Sequence, residues 1–167
     1  FAEVGGVLLG DGPRPAGGQP WPLSLRVNVG AGEPTVRRLQ GVHLAQLAVS
    51  GLAAARHHSM ASPVADVPDP ELRRVYQEEG LTHLAATPLQ AGEELLGILG
   101  LARREARPFT DDDLRLLDVI GGELGGAVHN LQLYEQLGRS NEELRQTQQM
   151  VLQQERLRAL GEMASGI

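Results

Sequence analysis

The chain contains no cysteine and no lysine. Without cysteine there is no disulfide, no thiolate metal site, no cysteine nucleophile and no anchor for a thioether-linked chromophore such as a covalent bilin. Without lysine neither a Schiff base nor a P-loop can form. All 15 basic side chains are therefore arginine, a bias we attribute to genomic coding. No run of about eighteen apolar residues is present to span a bilayer, so no membrane contact is expected and a cytoplasmic location is. A net charge of -6, with no arginine cluster interleaved with aromatics, argues against nucleic-acid binding. No signal-peptide pattern opens the chain, and Phe1 in place of an initiator methionine suggests an internal excerpt.

What is present is 167 residues of ordinary hydrophobicity, 41%, enough for one compact domain plus an extension. Residues 4–9 form an apolar run that ends in the turn-prone Gly10-Asp11-Gly12-Pro13 and reads as a buried strand. Leu23, Leu25, Val27 and Val29 alternate with polar residues, as in a strand with one face in a core, and the two strands are expected to form a hairpin. Residues 30–40 read as loop or edge strand. From Val42 onward Leu44, Leu47, Ala48, Gly51, Leu52 and Ala55 share one helical face. A break at His57-His58-Ser59-Met60 precedes a short strand over residues 61–64. Asp69 then supplies an N-cap and Pro70 a first helical position, with Leu72, Val75 and Tyr76 on one face and Gly80 as a stop. Residues 82–89 and 94–102 read as two strands joined by a tight turn, with both faces of the second covered. This order predicts an α+β domain built on an antiparallel sheet.

Residues 110–167 read as one helix, or two joined end to end. Thr110 and Asp113 have capping-box spacing, and Asp111 and Asp112 face the positive end of the helix dipole. Leu117, Ile120, Leu124, Ala127, Leu131 and Tyr134 alternate at spacings of three and four, a narrow seam suited to helix–helix contact. Leu137, Leu144 and Val151 continue at seven-residue spacing. Leu157, Leu160, Ala164 and Ile167 resume an apolar pattern, but six residues separate Val151 from Leu157 where seven would hold the phase. A parallel homodimeric coiled coil is the expectation, with a solvated helical tail as the alternative. Gly121, Gly122, Gly125 and Gly126 each cost a helix about 1 kcal/mol relative to alanine, which close helix–helix or helix–sheet approach would offset.

Two stretches carry family resemblances. Thr87-Pro88-Leu89, then Gly97-Ile98-Leu99-Gly100-Leu101, then Pro108-Phe109-Thr110 with its acidic helix start resembles the C-terminal half of a GAF domain. The resemblance implies a GAF-type sensor domain over residues 1–135, α+β with a GAF-like antiparallel sheet, flanking helices and a long C-terminal coiled-coil helix; the first family helix is missing or upstream. The run from Gln154 through Arg156-Leu157 and Ala159-Leu160-Gly161-Glu162-Met163-Ala164 to Gly166-Ile167 resembles the start of the dimerisation and phosphoacceptor helix of sensor histidine kinases. Residues 136–167 would then be a signalling helix running into that element, cut before the acceptor histidine and before any ATP-binding segment. The resemblances imply a homodimeric input module with a small-molecule ligand of unknown identity. They also imply a parent kinase that uses ATP and Mg and phosphorylates a response regulator. The fragment itself is not expected to be an enzyme, and no catalytic or metal residues are assigned.

The GAF resemblance implies a ligand pocket on the sheet face opposite the terminal helices, without implying a particular ligand. The cyclic-nucleotide type of GAF domain is disfavoured: Phe109 and Asp113 match its signature by spacing only, Leu114 stands where it needs Glu, and there is no Lys. The methionine-sulfoxide reductase type needs cysteines. His57, His58 and Met60 offer the side chains that commonly ligate haem iron; a water-facing loop is the preferred reading, so haem is not expected. His83 lies in a predicted strand and either faces the pocket or serves as a hydrogen-bonded structural residue. Tyr76 and Trp21 either stack on a ligand ring or pack in the core. Arg73 and Arg74 read as a solvated helix face, and His129 as a surface residue.

Overall fold

The computed structural model describes residues 3–10, 14, 21–40 and 42–166. The turn expected at Asp11, Gly12 and Pro13 and the seam position Ile167 lie outside them. Contacts cluster into two units, residues 1–129 and residues 130–167.

Five strands form one antiparallel sheet: β1 (Val4–Gly10), β2 (Leu23–Val29), β3 (Met60–Pro63), β4 (His83–Ala91) and β5 (Glu94–Arg103), in the order β2-β1-β5-β4-β3. The two expected hairpins both form. β1 pairs with β2, and β4 with β5 across a tight turn where Gly92 takes φ +61°, a value that disfavours most side chains. One face of the sheet carries the main core, in which Leu23 and Ile98 are fully buried.

Above that face lie α1 (Glu33–Leu39), α2 (Ala48–Arg56) and α3 (Pro70–Glu78). The third matches its sequence signals closely: the Asp69 carboxylate accepts from the amides of Glu71 (2.9 Å) and Leu72 (3.0 Å), and Gly80 ends the segment at φ +73°. Two expectations are corrected. Residues 33–39, expected as loop or edge strand, are a helix with Glu33 and Pro34 in its first turn and Arg37 and Arg38 in its last. The helix expected from Val42 onward is divided, with a short 3-10 turn at Leu44–Gln46 before α2. The cause is pairing across the chain: Leu23 donates to the Val42 carbonyl (3.0 Å) and Leu44 to that of Trp21 (3.3 Å), which holds this backbone extended.

On the other face lies the first part of α4, a helix that runs Asp111–Ser165. Its capping box forms, with the Thr110 amide donating to Asp113 Oδ2 (3.0 Å) and the Asp113 amide to Thr110 Oγ1 (3.2 Å). Behind it Arg103, 3% exposed, donates to Asp113 Oδ2 (2.9 Å) and to the Pro108 carbonyl (3.0 Å), and its guanidinium lies 4.0 Å from the Phe109 ring centroid. The Phe109 and Asp113 spacing is thus used to clamp the start of α4 to β5. Leu117, expected in a dimer seam, is corrected: it is 1% exposed and packs with Ala85 and Phe109, so no partner can reach it. Gly121 and Gly125 also face the sheet, where a Cβ would meet Pro88 O at 2.7 Å and Gln90 O at 2.2 Å, while one at Gly122 or Gly126 would meet nothing. Close helix–sheet approach accounts for the first pair only. Every residue from 133 to 166 is exposed.

Candidate functional site

The sheet register sets up a cavity. On the core face one cross-strand row runs Asn28, Gly6, Gly100, Ala86, Met60 through β2, β1, β5, β4 and β3. Its three central positions carry two glycines and an alanine, so the floor is low where the flanking rows are filled by Val4, Leu8, Ile98 and Ala102. Over this trough the helices leave a cavity of about 90 Å³. Its walls include Leu25 from β2, Thr35 and Leu39 from α1, Val49 and Ser50 from α2, and Leu72 and Tyr76 from α3. Among the described residues no α4 side chain lines it, and no Asp, Glu, His or Arg side chain does.

α1 forms part of the cavity wall, and two long-range contacts hold it there. Glu79, just past α3, accepts from the amides of Gly32 (3.0 Å) and Thr35 (3.3 Å), two of the donors a helix start leaves unsatisfied. Burial pushes the Glu79 pKa up, but the nearby Thr35 hydroxyl, these amides and Arg104 outweigh it and hold the carboxyl below its ordinary value. Arg38 reaches Asp69 at 2.7 Å, joining the end of α1 to the start of α3. Thr35 is 2% exposed, and its hydroxyl lies beside the Glu79 carboxylate. Asn28 is engaged locally, its amide donating to the Ala31 carbonyl (3.2 Å). Burial, with a smaller contribution from Glu79, pushes the Tyr76 phenol up to about 12.

The five side chains singled out from sequence are not brought together. Tyr76 lines the cavity. His57 and His58 line a separate open groove with Gln90 and Asp118. There His57, at φ 58°, shares a 2.8 Å hydrogen bond with Gln90 through Nδ1, and His58 Nδ1 lies 3.7 Å from Asp118 Oδ2. Met60 ends the floor row and packs on the core without lining the cavity, and His83, at the start of β4, contacts the Thr82 hydroxyl at 3.1 Å. Trp21 is buried in the core, Arg74 pairs with Glu78 on the outer face of α3, and His129 Nδ1 lies 3.7 Å from Glu94 Oε2. Sequence reasoning missed Asn28, Thr35, Ser50 and the Gly6–Gly100 pair. The paired glycines were visible as residues, but only the register shows that they lie opposite each other.

A family model for the GAF domain matches residues 24–130. A curated relative, the sensor histidine kinase YhcY of Bacillus subtilis (strain 168), is 32% identical over 60 residues, 36% of this chain. That match spans only 16% of the relative's length. Among solved structures, the GAF domain of a two-component sensor histidine kinase from Bacillus halodurans superposes with a TM-score of 0.56 at 15% identity, covering 81% of this chain and 86% of that one. The GAF domain/HD domain protein from Geobacter sulfurreducens gives 0.60 at 14% identity, covering 80% and 84%. These likenesses concern the fold, a five-stranded antiparallel sheet with flanking helices. With the family match extending over more than half of its length, the chain belongs to the GAF domain family.

Proposed function

We propose that the chain is the signal-input segment of a cytoplasmic sensor histidine kinase, a GAF sensor over residues 1–135 joined to a signalling helix over residues 136–167. The helix pairs with its counterpart in a second copy. The carrying observation is the helix itself: Tyr134, Leu137, Leu144, Leu157 and Leu160 are all more than half exposed. Such a helix is marginal alone in water and gains stability by laying its apolar rows against a partner. The sensor histidine kinase relative and the resemblance of the last fourteen residues to a dimerisation helix support the same reading. The parent would use ATP and Mg and pass phosphate to a response regulator.

In this mechanism a ligand held between sheet and helices favours one packing of the α4 pair over another. The six-residue step from Val151 to Leu157 is the bistable element, because seams on either side of it cannot both be ideally packed. Deleting or inserting one residue there should change autophosphorylation of the full-length kinase while the GAF unit stays folded; unchanged output removes the step from the mechanism. A second reading, a ligand-free module that only sets dimer geometry, is favoured by the small size of the cavity, about 90 Å³. Native mass spectrometry of the chain from its own host separates the two. A dimer with a defined extra mass supports the sensor, a bare dimer the structural module, and a monomer sinks both.

A further inference from the structure

We infer that two adjacent arginines at the end of β5 couple the cavity walls to the start of α4: Arg104 follows the spacing of α1 and α3, and Arg103 passes it to the capping box. The inference deepens the sensor reading, on which it rests, by naming a route from input to output.

The route begins where α1 and α3 come together. The Arg104 guanidinium donates through Nε to the Glu79 carbonyl at the end of α3 (3.2 Å) and through Nη2 to the Gly30 carbonyl (3.3 Å). Gly30 lies in the turn that leads into α1 and takes φ +76° there. Both helices line the cavity, through Thr35 and Leu39 on one side and Leu72 and Tyr76 on the other. Any change in their spacing moves two carbonyls that a single planar guanidinium spans.

The route then crosses one peptide unit, which is planar and stiff. The Arg104 amide donates to the Glu3 carboxylate (2.9 Å), and the Arg103 carbonyl accepts from the Thr82 amide (2.8 Å). These bonds leave the joint little freedom to absorb a displacement locally.

At the far end Arg103, 3% exposed, donates to Asp113 Oδ2 (2.9 Å) and to the Pro108 carbonyl (3.0 Å). The same carboxylate oxygen receives the Thr110 amide, so the cap of α4 and the arginine share one acceptor. A buried cation parted from its carboxylate is costly, which ties the position of the cap to that of Arg103.

A second bridge rounds the β3 edge, where the Ser59 amide donates to Asp118 Oδ1 (2.5 Å). It reaches the segment after α2 and not α1 or α3, so the two routes are separable.

The test loosens α1 in the 167-residue chain by Arg38→Met, which removes the Asp69 contact and touches neither Arg103 nor Arg104. The readout is the Asp113 carboxyl titration by carbon NMR, since Arg103 helps hold that group below its ordinary value. Arg38→Met should lower its acid dissociation constant about twofold in the otherwise wild-type chain and leave it unchanged in an Arg104→Met background. A purely structural role for Arg104 would instead let the two substitutions add. Arg104→Gln stands in if the methionine disturbs folding, and Asp118→Ala, which breaks the second bridge, should leave the response intact. No response in the otherwise wild-type chain, a response that survives Arg104→Met, or one that vanishes with Asp118→Ala would overturn the proposal. The experiment involves neither ligand nor kinase, while kinase control is read through the residue deletion near Val151, so either reading can fail without the other.

Discussion

Four glycines on one helix are expected to respond to alanine in opposite directions. At Gly122 and Gly126 an added Cβ meets no atom within 4 Å, so Gly122→Ala and Gly126→Ala should each recover the helix-propensity gain of about 1 kcal/mol. For a chain of this size that is roughly 2–4 °C in Tm. At Gly121 the Cβ would lie 2.6 Å from Thr87 Oγ1 and 2.7 Å from Pro88 O. At Gly125 it would lie 2.2 Å from Gln90 O and 2.4 Å from Gln90 N, both backbone atoms with no rotamer to escape into. Overpacking of this kind costs about 1–3 kcal/mol, so after the propensity gain Gly125→Ala should be net destabilising by about 2 kcal/mol and Gly121→Ala by less. The assay is urea unfolding at one fixed protein concentration, followed by the emission of the buried Trp21, which reports the sensor unit separately from the long helix. If Gly125→Ala proves as benign as Gly126→Ala, or all four shift the midpoint the same way, the helix–sheet approach described above is wrong.

Tyr76 gives a prediction at high pH. Its phenol titrates near 12 in the fold against 10.0 ordinarily, so the stability linked to its neutral form is complete below pH 10 and is lost as the pH rises toward 12. Between pH 9.5 and 11.5 the wild type should lose about 2 kcal/mol more than Tyr76→Phe in urea midpoints, and equal losses would refute the burial argument. Asp113 acts at the other end. The Thr110 amide, and then Arg103, hold its carboxyl below the ordinary value against the opposing effect of burial, so its contribution is present above the ordinary carboxylate range and is lost as the pH falls. Asp113→Asn should therefore flatten the acid side of the stability profile, measured by unfolding midpoints from pH 5 to 2. Finally, Gly10→Ala sets a methyl carbon 2.0 Å from the Trp21 ring, and should red-shift the tryptophan emission and cost about 1–3 kcal/mol in urea unfolding.

Much of the architecture was legible because it is written in near-neighbour terms. Alternation in residues 23–29 marks a strand wherever it lies, Asp69-Pro70 marks a helix start, and Thr110 with Asp113 marks another. The α1 helix was not legible, because two turns are too few for a 3.6-residue period to show. Its clearest supports, Glu79 and Asp69, come from more than thirty residues away. The division near His43 was hidden for the same reason, since it depends on pairing with Trp21 and Leu23 across a separate segment.

Apart from α1 and the division near His43, the sequence by itself determined the strand and helix types, the caps and the family, since these follow from residue order and local chemistry. Tertiary structure alone decided what the chain's repeated features are used for. Gly121 and Gly125 repeat at the same interval as Gly122 and Gly126, and nothing local distinguishes the pairs; rotation of α4 on the sheet presses the first against β4 and leaves the second open. In the same way only the β1–β5 register sets Gly6 opposite Gly100, and only the seating of α1 buries the Thr35 hydroxyl above them. A cavity is a relation among segments distant in sequence, so no single stretch of this chain announces it.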